Sequence, residues 1–340
     1  MTQRPLDLSR EQVLAYRRFV GGLTERLPAG PESLRRAAWV GLQDSMPRAA
    51  LLSIHARVEG AGPSTWEDPS LVQLWGPRFS AYVVAARDLA VFSLGRLPDV
   101  GKNRQLAEQT AARLHIHLEG RVMAYGEAGR GLGVQPNSLR YAAPTGTVLI
   151  RWDGARQPTI WTVPPPDIDP AEARLELARR HLHVFGPTTA AAFARWAGIR
   201  PPVGHATFDV LRGSLVPVRT PLGEAWILAS DEAALRAQPR VVSGARLLPS
   251  GDAYFLLQGA DRELLVPEPD RRGLLWTSRV WPGAVLLNGE LVGTWRRADT
   301  DFTIQPWQRL SSLEREAIRA KAGSLPLPVA SKAIRVEWVE

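Results

Sequence analysis

A short polar cluster, Gln43–Ser45 (Gln-Asp-Ser), separates two segments whose apolar residues recur at helical spacing. Pro47 follows the cluster and suits the first turn of the second helix. Polar side chains at such a break either cap a helix or line a functional site. Two interpretations therefore stay open: Asp44 or Ser45 caps the helix that Pro47 opens, or the cluster takes part in catalysis.

Other side chains with possible chemistry do not form a catalytic or metal-binding pattern. His115 with His117, and His181 with His183, are two positions apart in segments predicted to be helical, where such rings point to different faces. No Ser-His-Asp, nucleophile-elbow or HExxH pattern is present. The stretch 126–133 is predicted to be a flexible break, because no buried strand precedes it as in a phosphate loop. We therefore expect neither a metal nor a cofactor.

The charge of the chain favours a polyanionic partner. Its 340 residues carry a formal net charge of +8, contain no Cys, and include Lys only at Lys102, Lys321 and Lys332. A GC-rich genome accounts for part of this preference for Arg, but Arg also suits phosphate groups and flat rings. No apolar run approaches the roughly 18 residues of a membrane span, and the N-terminus lacks a signal-peptide pattern. These features predict a cytoplasmic protein.

The N-terminal part has the element order of a winged helix-turn-helix unit. Ser9 and Gln12 form a capping box for a helix over residues 9–23, and two further helices follow, the second ending near Val58. Residues 80–95 predict two short strands around a turn. A helix over about 104–125 closes this unit, which we assign to residues 1–130.

A similar order recurs in residues 131–240. After a short helix at 137–143, a hairpin turns at Asp153-Gly154 and carries Arg151 and Arg156. Asp169 is the predicted cap of the next helix. The helices and the second hairpin of this part are expected at 170–184, 189–196, 205–212 and 215–228.

Residues 241–340 predict mainly strands. These are expected at 247–249, 254–257, 283–288, 291–296 and 333–339, with one helix at 311–322. The sequence therefore predicts an α+β protein made of tandem winged helix-turn-helix units with a β-rich C-terminal part.

Several motifs together resemble the AlkZ-like family of tandem winged-helix DNA glycosylases. They are Gly41-Leu42-Gln43, Pro47-Arg48-Ala49-Ala50, Ala56-Arg57-Val58, Arg179-Arg180-His181-Leu182, Phe185-Gly186-Pro187, Trp196-Ala197-Gly198, Leu247-Leu248-Pro249, Asp252-Ala253-Tyr254, Asp261-Arg262-Glu263, Gly283-Ala284-Val285 and Gly293-Thr294-Trp295-Arg296. The resemblance covers most of residues 30 to 300. It implies three winged-helix units in a C-shape around duplex DNA, and cleavage of the N-glycosidic bonds of alkylated bases.

The resemblance also implies where catalysis takes place. The family's pattern is Gln, an apolar residue, then Gln or Asp, so Gln43 matches while Asp44 and Ser45 replace the other two positions. An N-alkylated purine is a cationic leaving group, so the enzyme mainly places water and stabilises an oxocarbenium-like centre. Gln43 would position that water, with Asp44 or Ser45 assisting.

We therefore expect a monofunctional DNA glycosylase of DNA repair that removes alkylated or bulky-adduct purines from duplex DNA by water attack. It would act as a cytoplasmic, nucleoid-associated monomer with no membrane contact and no small-molecule cofactor. The alternative is a non-catalytic winged-helix protein that binds DNA or recognises damage. Contacts with the DNA backbone or grooves are expected from Arg48, Arg57, Arg78, Arg140, Arg151 and Arg156.

Overall fold

Side-chain caps begin several helices of this chain, as the sequence predicts. The structure, a computed structural model, describes residues 6–154, 157–237, 242–327 and 334–339. Capping boxes at Ser9 and Ser311 open the first and last helices. Asp169 accepts hydrogen bonds from Ala171 N–H and Glu172 N–H at 2.8 and 3.2 Å.

The described residues combine helices and strands in an α+β arrangement, as predicted. The helices are α1 (Arg10–Val20), α2 (Pro31–Ala37), α3 (Ala49–Arg57), α4 (Leu89–Ser93), α5 (Lys102–Leu118), α6 (Tyr125–Gly131), α7 (Pro170–Phe185), α8 (Ala190–Ala197), α9 (Pro201–Leu211), α10 (Glu232–Arg236), α11 (Asp261–Leu265), α12 (Pro269–Leu275) and α13 (Ser312–Gly323). A 3-10 helix occupies Pro136–Thr145.

The strands form three sheets. They are β1 (Leu6–Asp7), β2 (Leu42–Gln43), β3 (Leu71–Trp75), β4 (Ala81–Ala85), β5 (Met123–Ala124), β6 (Val148–Arg151), β7 (Thr159–Thr162), β8 (Leu215–Thr220), β9 (Gly223–Leu228), β10 (Ala245–Leu248), β11 (Gly283–Leu287), β12 (Glu290–Ala298), β13 (Asp301–Pro306) and β14 (Arg335–Trp338). Their orders are β2-β4-β3-β6-β7-β5, β1-β8-β9 and β10-β11-β12-β13-β14.

Pairing between distant strands crosses the unit boundaries that the sequence suggests. Hairpin β6–β7 joins the same sheet as β2, β3 and β4, through pairing of Ile150 with Gln73. The largest core likewise combines side chains from all parts of the chain, including Leu14, Phe92, Leu182, Phe193, Phe255 and Leu286. The division into residues 1–130, 131–240 and 241–340 stays a prediction.

The helix predicted over about 104–125 is too long, since α5 ends at Leu118 and strand β5 occupies Met123–Ala124. Three further local predictions are wrong. Residues 89–93 form helix α4 rather than a second strand, which buries Val91 and Phe92 against α7. Residues 254–257 form no strand, because residues 253–255 are a turn in which Asp252 Oδ1 accepts a hydrogen bond from Tyr254 N–H at 2.9 Å. The predicted strand at 333–339 begins outside the described residues at Ala333 and appears as β14.

The expected flexible break at 126–133 is largely helix α6, and this is the third of these further errors. Its glycines allow close packing rather than motion. A Cβ at Gly129 would lie 2.9 Å from Pro136 Cα, and one at Gly126 would lie 2.5 Å from Gln157 Oε1. The backbone contact at Gly129 therefore excludes a side chain at that position, whereas the end of the flexible Gln157 side chain can move away from residue 126.

A buried ion pair joins α3 to the segment that follows β10. Both guanidinium ends of Arg57 donate to Asp252 at 2.7 Å, and both side chains are almost fully buried. Ser53 Oγ also donates to Asp252, at 2.6 Å. The Arg57 Nε–H donates to Gly21 O at 2.9 Å. This network holds the N-terminal and C-terminal parts of the chain together.

We expect Asp252→Asn to lower the free energy of unfolding by roughly 3–5 kcal/mol, because the variant leaves the Arg57 charge buried and unpaired. Urea denaturation measures this change. The matched control is Glu108→Gln, which breaks the exposed pair with Arg104 and should change stability by about 0.5 kcal/mol or less. Equal effects of the two variants would contradict a supporting role for the buried pair.

Candidate active site

The amide of Gln43 is held at both ends. Strand β2 pairs with β4, which puts Gln43 opposite Tyr82. Gln43 Oε1 accepts hydrogen bonds from Arg78 Nη2 at 3.3 Å and from Tyr82 Oη at 3.5 Å. Gln43 Nε2 donates to Ser45 Oγ at 3.0 Å. The structure thus brings together Gln43 and the exposed hydroxyl of Ser45, two of the three predicted catalytic residues.

Asp44 points away from this pair, because neighbouring residues of an extended chain face opposite sides. Its side chain is fully buried. Asp44 Oδ1 accepts from Ala50 N–H at 2.9 Å, and Oδ2 accepts from Gln73 Nε2 at 2.7 Å. The expectation that Asp44 assists at the catalytic centre is therefore corrected: its carboxyl group satisfies the first turn of α3.

Burial dominates the electrostatics of Asp44. It raises the pKa of this carboxyl to about 7, although the bond from Ala50 N–H, the charge of Arg48 and the bond from Gln73 act in the opposite direction. Gln73 is itself fixed, since its Oε1 accepts from Trp152 N–H. Asp44 and Gln73 therefore connect α3, β3 and the end of β6 directly behind Gln43.

An open cleft begins at Met46 and Pro47, directly after the Gln43–Ser45 turn. Its walls are mainly apolar, and two arginines also line it. The lining side chains include Met46, Pro47, Leu52, Pro249, Trp281, Arg296 and Arg297. Gly251 adjoins the same region, and a Cβ there would lie 3.3 Å from Gln43 Nε2. Such a cleft suits a flat or apolar group next to the Gln43 amide.

Arg48 and Arg151 lie on the indole of Trp66. Their guanidinium carbons are 4.4 and 4.7 Å from the ring centroid. Burial and the charge of Arg151 lower the pKa of Arg48, and its Nη1 is buried with no hydrogen-bond partner among the described residues. Arg151 donates to Glu67 at 2.8 Å. Arg48 therefore keeps one N–H donor without a partner at this position.

Two further predicted DNA contacts lie near aromatic side chains or the Gln43 amide. Arg78 has a left-handed backbone (φ 55°), and its Nη1 has no hydrogen-bond partner in the described part of the chain. Arg140 lies 5.7 Å from the ring centroid of Tyr141 and 5.9 Å from that of Phe79. Arg78 is thus placed at the site itself, and Arg140 is half-buried.

One predicted DNA contact is wrong, and another lies outside the described residues. Arg57 is only 2% exposed and fully engaged with Asp252, so its guanidinium has no surface left for a phosphate. Arg156 is not among the residues that the structure describes. The type of a charged residue indicates its chemistry but not its burial, and this is why Arg57 could not be separated from the other arginines.

The sequence gives little sign of the side chains that support Gln43. Tyr82, Gln73 and Gly251 reach the site through pairing or packing over 29 residues or more. Only the alternation of β4 places Tyr82 on a defined face.

The histidine pairs do lie on helices α5 and α7, as predicted. In the described ranges, no group of His, Asp and Glu could hold a metal ion, and no helix is long and apolar enough to cross a membrane.

The raised pKa of Asp44 predicts a pH-dependent stability. Between about pH 4 and 7 Asp44 is protonated in the folded protein but ionised in the unfolded chain. The stabilisation that protonated Asp44 gives the folded state is therefore fully present below pH 4. It is lost as the pH rises to about 7. We expect the free energy of unfolding of the parent, relative to that of Asp44→Asn, to decrease from pH 5 to 7. Above pH 8 this relative value should stay constant. Urea titrations at each pH measure it, and a difference independent of pH would refute the assignment.

Comparison with known proteins agrees with the resemblance in the sequence. The fold is similar to that of the DNA glycosylase AlkZ of Streptomyces sahachiroi, with a TM-score of 0.76, 20% sequence identity, and coverage of 98% of this chain and 100% of that chain. No curated protein matches the sequence. The model of the family described as "DNA glycosylase AlkZ-like" matches residues 34–326. Because this match covers most of the chain, the protein belongs to the AlkZ-like DNA glycosylase family.

Proposed function

We propose that this protein is a monofunctional DNA glycosylase that removes alkylated or bulky-adduct purines from duplex DNA. The observation that carries the proposal is the Gln43 amide, held by Arg78 and Ser45. It lies close to Gly251, whose neighbour Ser250 lines an apolar cleft. A fixed amide can orient one water molecule through its remaining Nε2–H, because Oε1 already accepts from Arg78 and Tyr82. The adjoining cleft offers a place for the purine or its adduct.

Water attack needs little acid catalysis in this reaction. Alkylation makes the purine cationic, so the breaking N-glycosidic bond returns its electron pair to the base, which leaves neutral. The oxygen of water forms the new bond to C1′ of the sugar. Its proton passes through the exposed Ser45 hydroxyl to solvent. Gln43 would act as the catalytic residue that positions the water, and Asp44 as a positioning residue that fixes the start of α3.

Arg48, Arg78, Arg140 and Arg151 are proposed to contact DNA phosphates or grooves. The unpaired Nη1 atoms of Arg48 and Arg78 support this assignment, because a buried donor without a partner is unfavourable. Both arginines also lie next to the Gln43–Ser45 turn, so phosphates near the damaged nucleotide would satisfy them. The winged-helix assignment is supported by the order α7, α8, α9 and hairpin β8–β9.

One observation favours the alternative of a non-catalytic damage-recognition protein. Asp44, the only carboxylate of the Gln-Asp-Ser cluster, faces away from Gln43 and is fully buried. Ser45 is a weak base in place of Gln or Asp. Both proposals predict binding to damaged duplex DNA, so release of the base decides between them. The deciding experiment incubates the protein with duplex DNA carrying N7-alkylguanine and measures the free base.

We expect Gln43→Ala to reduce the single-turnover rate of base release by about 10²-fold or more, because a positioned catalytic group is lost. Affinity for the same duplex should change little, since Gln43 acts on the transition state. The matched control is Gln105→Ala, an exposed position on α5, which should leave the rate unchanged.

The parent protein provides the contradicting outcome. Tight binding of alkylated duplex with no release of base would exclude the glycosylase and favour the recognition protein. A normal rate in Gln43→Ala would instead place the catalytic water elsewhere.

We expect Arg48→Gln to weaken duplex binding and to reduce the steepness of the salt dependence, in log K against log salt, by about 0.9, the value for one phosphate contact. Fluorescence anisotropy at several salt concentrations measures both quantities. Arg104→Gln is the control, because Arg104 is paired with Glu108 on α5. An unchanged slope in Arg48→Gln would remove this residue from the DNA interface.

A further inference from the structure

A second group of cations lies at the end of α3 that is farther from Gln43. Leu27 pairs with Val58, which brings Arg26 to the last turn of this helix. His55 lies in the same turn, and its Nε2 is 3.4 Å from Ser324 Oγ after α13. Strand β10 carries Arg246 and packs against both α3 and α13. We refer to Arg26, Arg246 and Lys321 as the basic cluster.

The three cations of the basic cluster act on one another and on His55. Burial lowers the pKa of Lys321, and the charges of Arg26 and Arg246 lower it further. Burial also lowers the pKa of Arg246, and the charge of Arg26 adds to this effect. Burial also lowers the pKa of His55, whose bond to Ala61 O opposes this, and the charges of all three cations add to the lowering. The like charges therefore lie close enough to destabilise each other in the absence of an anion.

The hydrogen bonding of the basic cluster is incomplete. Arg26 Nε and Nη2 and Arg246 Nε are buried and have no partner among the described residues. Within the same residues, no carboxylate forms an ion pair with Arg26, Arg246 or Lys321, unlike the half-buried Arg10, Arg35, Arg151 and Arg271. Glu59 acts on Arg26 only through its charge. Unpaired N–H groups and uncompensated charge in one place are unfavourable unless an anion binds there.

We propose that the basic cluster binds a phosphate group. A phosphate supplies several acceptor oxygens in a geometry that suits the paired N–H groups of guanidinium, and its charge offsets the repulsion among three cations. The group could belong to the DNA backbone or to a free phosphate ester. The site uses none of the residues around Gln43, so it does not depend on release of a base.

The first test uses inorganic phosphate as the probe and thermal unfolding of the full chain. At constant ionic strength, phosphate should raise Tm above its value in chloride by about 2 °C or more. Lys321→Met should lose most of this increase. In phosphate-free buffer at low salt the same variant should melt no lower than the parent, because one repelling charge has been removed. Lys102→Met, at an exposed lysine on α5, is the matched control and should keep the full effect of phosphate.

The second test identifies the source of the phosphate. If the DNA backbone occupies the site, Lys321→Met should weaken duplex binding and reduce the steepness of the log–log salt dependence by about 0.9. If a free phosphate ester occupies it, the variant should bind duplex normally while it still loses the effect of inorganic phosphate. Arg246→Gln repeats both measurements at a second position of the basic cluster.

Two results would overturn the proposal. Phosphate that stabilises the parent no more than chloride at equal ionic strength would show that the basic cluster has no phosphate site. Equal stabilisation of the parent, Lys321→Met and Arg246→Gln would show that phosphate binds elsewhere on the chain.

Discussion

The contact between Arg57 and Asp252 is the constraint on which the candidate site depends. Both oxygens of the Asp252 carboxylate accept hydrogen bonds: from two N–H groups of the Arg57 guanidinium, from Ser53 Oγ and from Tyr254 N–H. A buried ion pair is tolerated only when its remaining hydrogen bonds are satisfied in this way. The pair fastens the turn after β10 to α3, and the same turn supplies Pro249, Ser250 and Gly251. Without that turn, the cleft would lack one wall and Gln43 would lose its neighbour.

The Gln-Asp-Ser cluster divides two tasks between the two faces of an extended chain. Asp44 faces inward and bonds to Ala50 N–H and Gln73, while Gln43 and Ser45 bond to each other on the outer side. The sequence left capping and site lining as alternatives for the whole cluster. The structure shows both, on different residues: Asp44 caps α3, whereas Gln43 and Ser45 line the candidate site. The cap also supports the site, because it fixes the direction in which the chain leaves β2 and enters α3.

Local signals predicted much of the fold, and long-range contacts account for most of the errors. The caps at Ser9, Asp169 and Ser311 depend on neighbouring residues, so the sequence alone reveals them. The burial of Arg57 depends on a carboxylate 195 residues away. The helix at 125–131 packs Gly129 closely against Pro136, a contact that the glycine-rich sequence does not reveal. In the candidate site, Gln43 and Ser45 were identified, whereas Tyr82 and Gly251 required the strand register and the turn after β10.

The net charge of the chain overstates the positive surface that is available to DNA. Several arginines are buried and bond to carbonyl groups or carboxylates of the protein, namely Arg17, Arg57, Arg96, Arg174 and Arg180. Among the described arginines with unpaired donors, two groups lie at opposite ends of α3: Arg48 and Arg78 beside Gln43, and the basic cluster at the far end. A duplex phosphate at the first group would hold the damaged nucleotide next to the amide, where a cationic base needs a placed water more than a strong acid.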